Sequence, residues 1–349
     1  MPDKKIVLIT GAGSGIGRAI AQVLAQAGHC VYAGLRASEP HNKARTEEIR
    51  AFAQEGSLDL RVVDIDVLSE TSCRAAVDRV LLEQGRIDVV VNNAGMLMVG
   101  ITEAFSPEQV AAIFDTNAIS WLRVNRAALP AMRRQRAGLL VYVGSTTSRI
   151  HEPFIGPYVA SKVAGEALAE VIGMEISTFG IETVIVQPGA FTQGTEHFNH
   201  ARPPANQAVV EQYGAMLHLA DDLGGKLEAI DAANGGSLDV SAVGQAVRDV
   251  LAQAPGERPR RIVVDAQRKG VEELNELHDA KQQAFLDKLG LGSLTRSEPA
   301  AERDIGHEER RPCMELTMSA ARLNQMGLSG PTCAGETAMT FGPRSSRGS

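Results

Sequence analysis

Cysteine is scarce in this chain. Four cysteines, Cys30, Cys73, Cys313 and Cys333, are spread over 349 residues and form no CxxC pair. That usage excludes a disulfide framework and reads as a reduced, intracellular protein. No long basic run occurs and the net charge is −7, so the electrostatic footprint of a nucleic-acid binder is missing. No uninterrupted apolar run reaches membrane-spanning length. A few polar residues lead straight into an apolar stretch, so no signal peptide is expected and a cytoplasmic setting is. The spacing of His307, Cys313 and Cys333 matches no zinc pattern, and no metal is expected.

Apolar residues make up 44% of the chain, enough for a sizeable core in one large domain or two small ones. They fall into an alternation. Short apolar runs at 5–10, 29–34, 59–64, 87–91, 139–144, 181–187 and 261–265 read as buried strands. Between them lie helical patterns at about 16–27, 41–55, 70–84, 106–134, 157–178 and 240–253, with a further one at 271–289. Gly28 and Gly85 are expected helix stops, and an irregularity is expected near Asn117. The repeated βα pattern implies an α/β, doubly wound parallel sheet with helices on both faces. Residues 190–235 break the rhythm and read as a partly helical flap. From about 293 the periodicity weakens, so a single catalytic domain over 1–292 and a flexible tail over 293–349 are expected.

The first strand runs into TGAGSGIG, residues 10–17. Small residues at Gly11, Gly15 and Gly17 permit a tight turn and close approach to a diphosphate, which the following helix N-terminus favours. The setting between strand and helix is what a dinucleotide loop requires, although the spacing differs by one residue from GxGxxG. No Walker-type GKS or GKT is present, which disfavours ATP hydrolysis. An NAD site usually places Asp or Glu at the end of the second strand. Here Leu35 and Arg36 stand there, and a guanidinium pairs with a 2′-phosphate. NADP(H) is therefore expected, with Ser38, Lys43 or Arg45 as further contacts. A solvated Arg36 and an NAD(H) site form the alternative. Asp66, or else Asp64, is placed to accept from the adenine amino group. Asn92, Asn93, Ala94 and Gly95 follow the fourth strand, where small residues admit the adenosine half.

Ser145 ends the fifth strand, and Tyr158 and Lys162 share one face of the next helix. A nearby ammonium favours the phenolate, so the tyrosine pKa is expected below its usual value near 10. Tyr158 is then a general acid/base, and Ser145 a hydrogen-bond partner of the substrate oxygen.

Taken together, TGAGSGIG at 10–17, Asp66-Val67, NNAG at 92–95, Asn117, Ser145, YVASK at 158–162 and Pro188-Gly189 resemble the short-chain dehydrogenase/reductase family. The thirteen-residue step from Ser145 to Tyr158 also matches. The resemblance covers about residues 3–270 and implies a seven-stranded Rossmann-type sheet and a homodimer or homotetramer. It places Gly11, Ser14, Gly15, Ile16, Gly17, Asp66, Val67, Asn93, Ala94, Gly95, Pro188 and Gly189 around the cofactor. It makes Tyr158 the proton donor, has Lys162 hold the nicotinamide ribose, has Ser145 orient the carbonyl and has Asn117 anchor a water leading from Lys162. Family members often carry Thr where Gln193 stands here. Thr192, Thr195 or Gln193 itself is left as the carboxamide contact.

Met96, Leu97, Met98, Ile150, His151, Phe191, His197 and Phe198 are the expected pocket residues. Most are apolar, which favours a moderately hydrophobic ketone, aldehyde or secondary alcohol. A nucleotide-sugar epimerase or dehydratase, or a non-catalytic dinucleotide-binding protein, forms the other class of reading.

Overall fold

The computed structural model describes residues 4–36 and 42–295. Seven strands are present: β1 Ile6–Ile9, β2 Cys30–Leu35, β3 Leu60–Asp64, β4 Val89–Asn92, β5 Gly138–Val143, β6 Ile181–Pro188 and β7 Arg261–Val264. They form one sheet in the order β3-β2-β1-β4-β5-β6-β7, every neighbouring pair parallel. The continuous apolar runs of the central strands follow from this, because both faces are covered. One face packs Val7, Ile9, Val31, Val91 and Val141 against the helices α1 Gly15–Gln26 and α10 Ser241–Ala252. The other packs Leu8, Tyr32, Val90, Leu140 and Tyr142 against α3 Glu70–Gln84 and α5 Ser120–Gln135. The described residues lie in one compact unit.

Strand order reverses between β1 and β4, which opens a crevice at the carboxyl ends of the strands. Glycine loop, Asp66, NNAG, Ser145 and Pro188-Gly189 all sit at those ends.

Local chemistry sets the helix ends. Gly28 follows α1 with φ +91°, and Gly85 caps α3 with φ +72°, its N–H bonding the Leu81 carbonyl over 2.8 Å. Ser106 and Gln109 form a reciprocal capping box at the start of α4, Pro107–Phe114. The expected irregularity near Asn117 is a π-helical turn, Asp115–Ile119, between α4 and α5. The remaining helices are α2 Lys43–Glu55, α6 Gly156–Ile176, α7 Gln207–Gln212, α8 Met216–Asp221, α9 Leu223–Ala233 and α11 Val271–Lys288. Helices α7 to α9 are the helical part of the 190–235 segment. Ser38 and residues 296–349, with His307, Cys313 and Cys333, lie outside the described residues. Among those described, no helix is long and apolar enough to cross a membrane, and no His, Cys, Asp and Glu cluster could hold a metal.

Candidate active site

A cleft of about 590 Å³ runs along the carboxyl edge of the sheet. Its floor at one end is the glycine loop. Gly11 and Gly15 take φ of +64° and +53°, a region that L side chains rarely adopt. A Cβ on Gly11 would come 2.9 Å from the Ala94 Cα, and one on Gly17 would strike the Asn93 amide. The close approach has a cause in hydrogen bonds. Asn93 donates from its amide to the Thr10 and Gly11 carbonyls at 2.9 and 3.1 Å, and Thr10 Oγ1 accepts from the Asn93 and Ala94 backbones at 3.0 Å each.

The loop fits a dinucleotide diphosphate. Ser14 starts α1 without capping it through its side chain, and the first turn holds no acidic residue. The helix N–H groups are thus left to an anion in the cleft. Arg36 lines the cleft and has no ion-pair partner among the described residues. Arg45 also lines it and pairs with Glu196 of the flap. Asp66 and Val67 line the same end, and Asp66 Oδ1 accepts from the Leu68 N–H at 3.0 Å.

Ser145, Tyr158 and Lys162 line the cleft beside Gly95 and Gly189. Ser145 Oγ accepts from the Thr147 N–H and hydroxyl at 3.2 and 2.9 Å. Lys162 is buried and donates to the Val143 carbonyl over 2.8 Å. Its ammonium lies 5.7 Å from the Tyr158 ring centroid and 5.6 Å from that of Trp121. Asn117 is buried beneath them. It exchanges hydrogen bonds with both backbone groups of Met96 at 2.8 and 2.9 Å and donates to Ser161 Oγ at 3.0 Å. The π turn carries it inward while Thr116 and Ser120 side chains take up the carbonyls of Ala112 and Thr116.

The electrostatics depart from expectation. Burial pushes the Tyr158 hydroxyl up to about 12, with Glu152 and Glu166 adding to the rise and the Ser145 hydroxyl opposing it. Burial brings Lys162 down to about 8, against the pull of Glu166. The protein's own groups therefore keep Tyr158 protonated rather than acidic. The lysine head donates to the Val143 carbonyl, and at Tyr158 burial outweighs the Ser145 hydrogen bond. His197 packs edge-on against Tyr158 at 5.7 Å, and burial, helped by Lys162, pushes it down to about 4.

Of the expected pocket residues, Met96, Leu97, Phe191, His197 and Phe198 line the cleft. Met98 does not. It is fully buried against Phe105 and Ile113, because a β-bridge to Arg202 turns it inward. His151 is exposed, and neither it nor Ile150 lines the cleft. Thr195 lines it and donates to the Phe191 carbonyl at 3.1 Å, whereas the Thr192 hydroxyl is buried without a partner among the described residues and lies outside the lining.

Sequence reasoning passed over Glu166, Glu152 and Lys269. Glu166 is fully buried, accepts from the Ser145 N–H at 3.1 Å and the Gln187 amide at 2.9 Å, and faces Arg149 at 3.7 Å. Burial raises its pKa. Its signal was available, since residues 158, 162 and 166 share one helical face. The Glu152–Lys269 pair, 117 residues apart in sequence, left none.

The family profile for short chain dehydrogenases matches residues 5–205. The chain belongs to the short-chain dehydrogenase/reductase family. It is an NAD(P)(H)-dependent oxidoreductase of small carbonyl and alcohol compounds. It is similar to the 3-ketodihydrosphingosine reductase of Bacteroides thetaiotaomicron, 31% identical over 71% of this chain and 84% of that protein. Human 17-beta-hydroxysteroid dehydrogenase type 1 is 36% identical over 53% of this chain and 56% of its own length. The alcohol dehydrogenase of the archaeon Thermococcus sibiricus, solved with 5-hydroxy-NADP, superposes with TM-score 0.59 at 25% identity over 75% of this chain and 96% of that one.

Proposed function

We propose that this short-chain dehydrogenase is an NADP(H)-preferring reductase of apolar ketones, with Tyr158 as the general acid. The observation that carries the reading is the single wall on which Ser145, Tyr158 and Lys162 meet the cleft, continuous with the glycine cradle. When bound, the reduced nicotinamide supplies the hydride. The chain's own residues do the rest. Ser145 donates its hydroxyl proton to the substrate oxygen, its acceptor side being already engaged by Thr147. Tyr158, protonated across the ordinary pH range, passes its proton to that oxygen as charge develops there. Lys162, held by the Val143 carbonyl, supplies the positive charge that steadies the tyrosinate left behind. Asn117, fixed by Met96 and Ser161, keeps the π turn in place behind the lysine.

Two features support the cofactor and substrate classes. The Arg36 guanidinium, without an ion-pair partner among the described residues, suits a 2′-phosphate, and the Thermococcus sibiricus enzyme was solved with an NADP derivative. Met96, Leu97, Phe191 and Phe198 line the substrate end with Leu223 and Leu227 from α9. The relatives named for 3-ketodihydrosphingosine and a hydroxysteroid agree with an apolar substrate. Exposed Ile119, Leu122, Val163, Leu168 and Val171, in the π turn, α5 and α6, suit self-association through those helices.

The testing experiment follows NADPH absorbance with linear and cyclic ketones, NADH being run in parallel. Consumption that is faster with NADPH and increases with ketone apolarity is expected. Equal rates with the two cofactors would remove the NADP(H) assignment. Silence with every ketone, despite NADPH binding, would remove the reductase assignment.

A further inference from the structure

Besides apolar Met96, Leu97, Phe191 and Phe198 and the imidazole of His197, the cleft is lined by an ion pair beside Ser145. Glu152, from the loop between β5 and α6, and Lys269, from the loop after β7, meet there, both lining the cleft with Ser145 and Tyr158. Their side chains are only 17% and 12% exposed. Lys269 Nζ donates to Glu152 Oε1 at 2.8 Å and to Thr146 Oγ1 at 3.1 Å. Thr146 directly follows Ser145. Glu152 lies near enough to Tyr158 to raise its pKa.

The pair is incompletely used. An ammonium carries three N–H donors, and among the described residues two of those of Lys269 have partners. A carboxylate has two oxygens, and among the described residues only Oε1 of Glu152 is hydrogen-bonded. One Lys269 donor and the second Glu152 oxygen therefore remain available to a molecule bound in the cleft that both residues line. A purely structural tie between the two loops would not require them to remain open to the cleft.

We propose that Glu152 and Lys269 form a binding site for a neutral hydroxyl group carried by the substrate close to the carbonyl that is reduced. The preferred substrate is thus an apolar hydroxy ketone. A hydroxyl both accepts, here from Lys269, and donates, here to Glu152, so it completes both residues at once. The pair has no net charge. A carboxylate on the substrate would confront Glu152, and an ammonium would confront Lys269, so neither charged group gains from it. This assignment rests on the reductase reading and refines it.

The test compares 2-octanone, 1-hydroxy-2-octanone, 2-oxooctanoate and 1-amino-2-octanone. Affinity for the full-length enzyme loaded with NADP⁺ is measured by calorimetry, and kcat/KM with NADPH is measured alongside. Two added hydrogen bonds predict roughly tenfold tighter binding of 1-hydroxy-2-octanone than of 2-octanone. The Glu152→Leu, Lys269→Met double variant, checked for folding by its NADPH binding, should bring that ratio to about one. Should that variant not fold, the wild-type ratio decides alone. Equal affinity of wild type for the hydroxylated and plain ketones overturns the assignment, as does tightest binding of the acid or the amine. Failure of every ketone to consume NADPH defeats the reductase reading instead, and the affinity ratio still reads the ion pair.

Discussion

The Ser145 backbone N–H donates to the Glu166 carboxyl group over 3.1 Å, so a fully buried side chain beneath the cleft fixes the strand end that carries the serine. The same carboxylate raises the pKa of both Lys162 and Tyr158. Glu166→Gln keeps an acceptor for Ser145 and removes the ionisable group. Both pKa values then fall, and the rise of alcohol oxidation with pH moves to lower pH, by up to about one unit. A pH–rate profile in the oxidative direction checks this. Glu166→Ala leaves the Ser145 N–H without its acceptor, takes one of two acceptors from the Gln187 amide and costs about 2 kcal/mol, read by chemical denaturation.

Tyr158→Phe keeps the ring against Lys162 and His197 and removes only the transferable proton. NADPH affinity stays unchanged while turnover falls roughly 10²- to 10⁴-fold. Fluorescence titration and steady-state rates separate the two effects, and near-normal turnover would end the general-acid assignment.

Arg36→Asp replaces a guanidinium that lines the cleft with a charge that repels phosphate. NADPH binding weakens by roughly 100-fold and NADH binding changes little. An equal loss for both cofactors would place the phosphate contact elsewhere, with Arg45 the next residue to change.

His197 gives the protein an acid-sensitive term. Its imidazole takes up a proton at about 4 in the folded protein, against 6.5 when exposed. Between those values the unfolded chain binds more protons, so stability falls as pH drops through that window and levels off below it. His197→Gln removes this part of the loss. Urea unfolding of both proteins at several pH values inside the window checks it, and parallel curves would contradict it.

Leu122→Glu combined with Val171→Glu places charges on the exposed apolar face of α5 and α6. Light scattering should show a smaller assembly than wild type, with the NADPH site intact. An unchanged mass would exclude this face as the contact.

The sequence by itself determined the order of strands and helices, because a strand buried on both faces needs an apolar run and a covering helix needs a periodic one. It also determined the glycine loop and the serine, tyrosine and lysine positions, since each depends on local spacing at a strand or helix end. Asn117 was legible as an irregularity but not as a π turn, which depends on Thr116 and Ser120 bonding back to the helix. Only the tertiary structure decided what surrounds these groups. Met98 lies in the core because a distant bridge to Arg202 turns it there. The Tyr158 pKa rises because burial outweighs the Ser145 hydrogen bond. Glu152 meets Lys269 only because parallel strands bring the loops after β5 and β7 to the same edge of the sheet. Spacing along a chain fixes which side chains share a helix face. Desolvation and contacts between distant segments exist only once the sheet has closed around them.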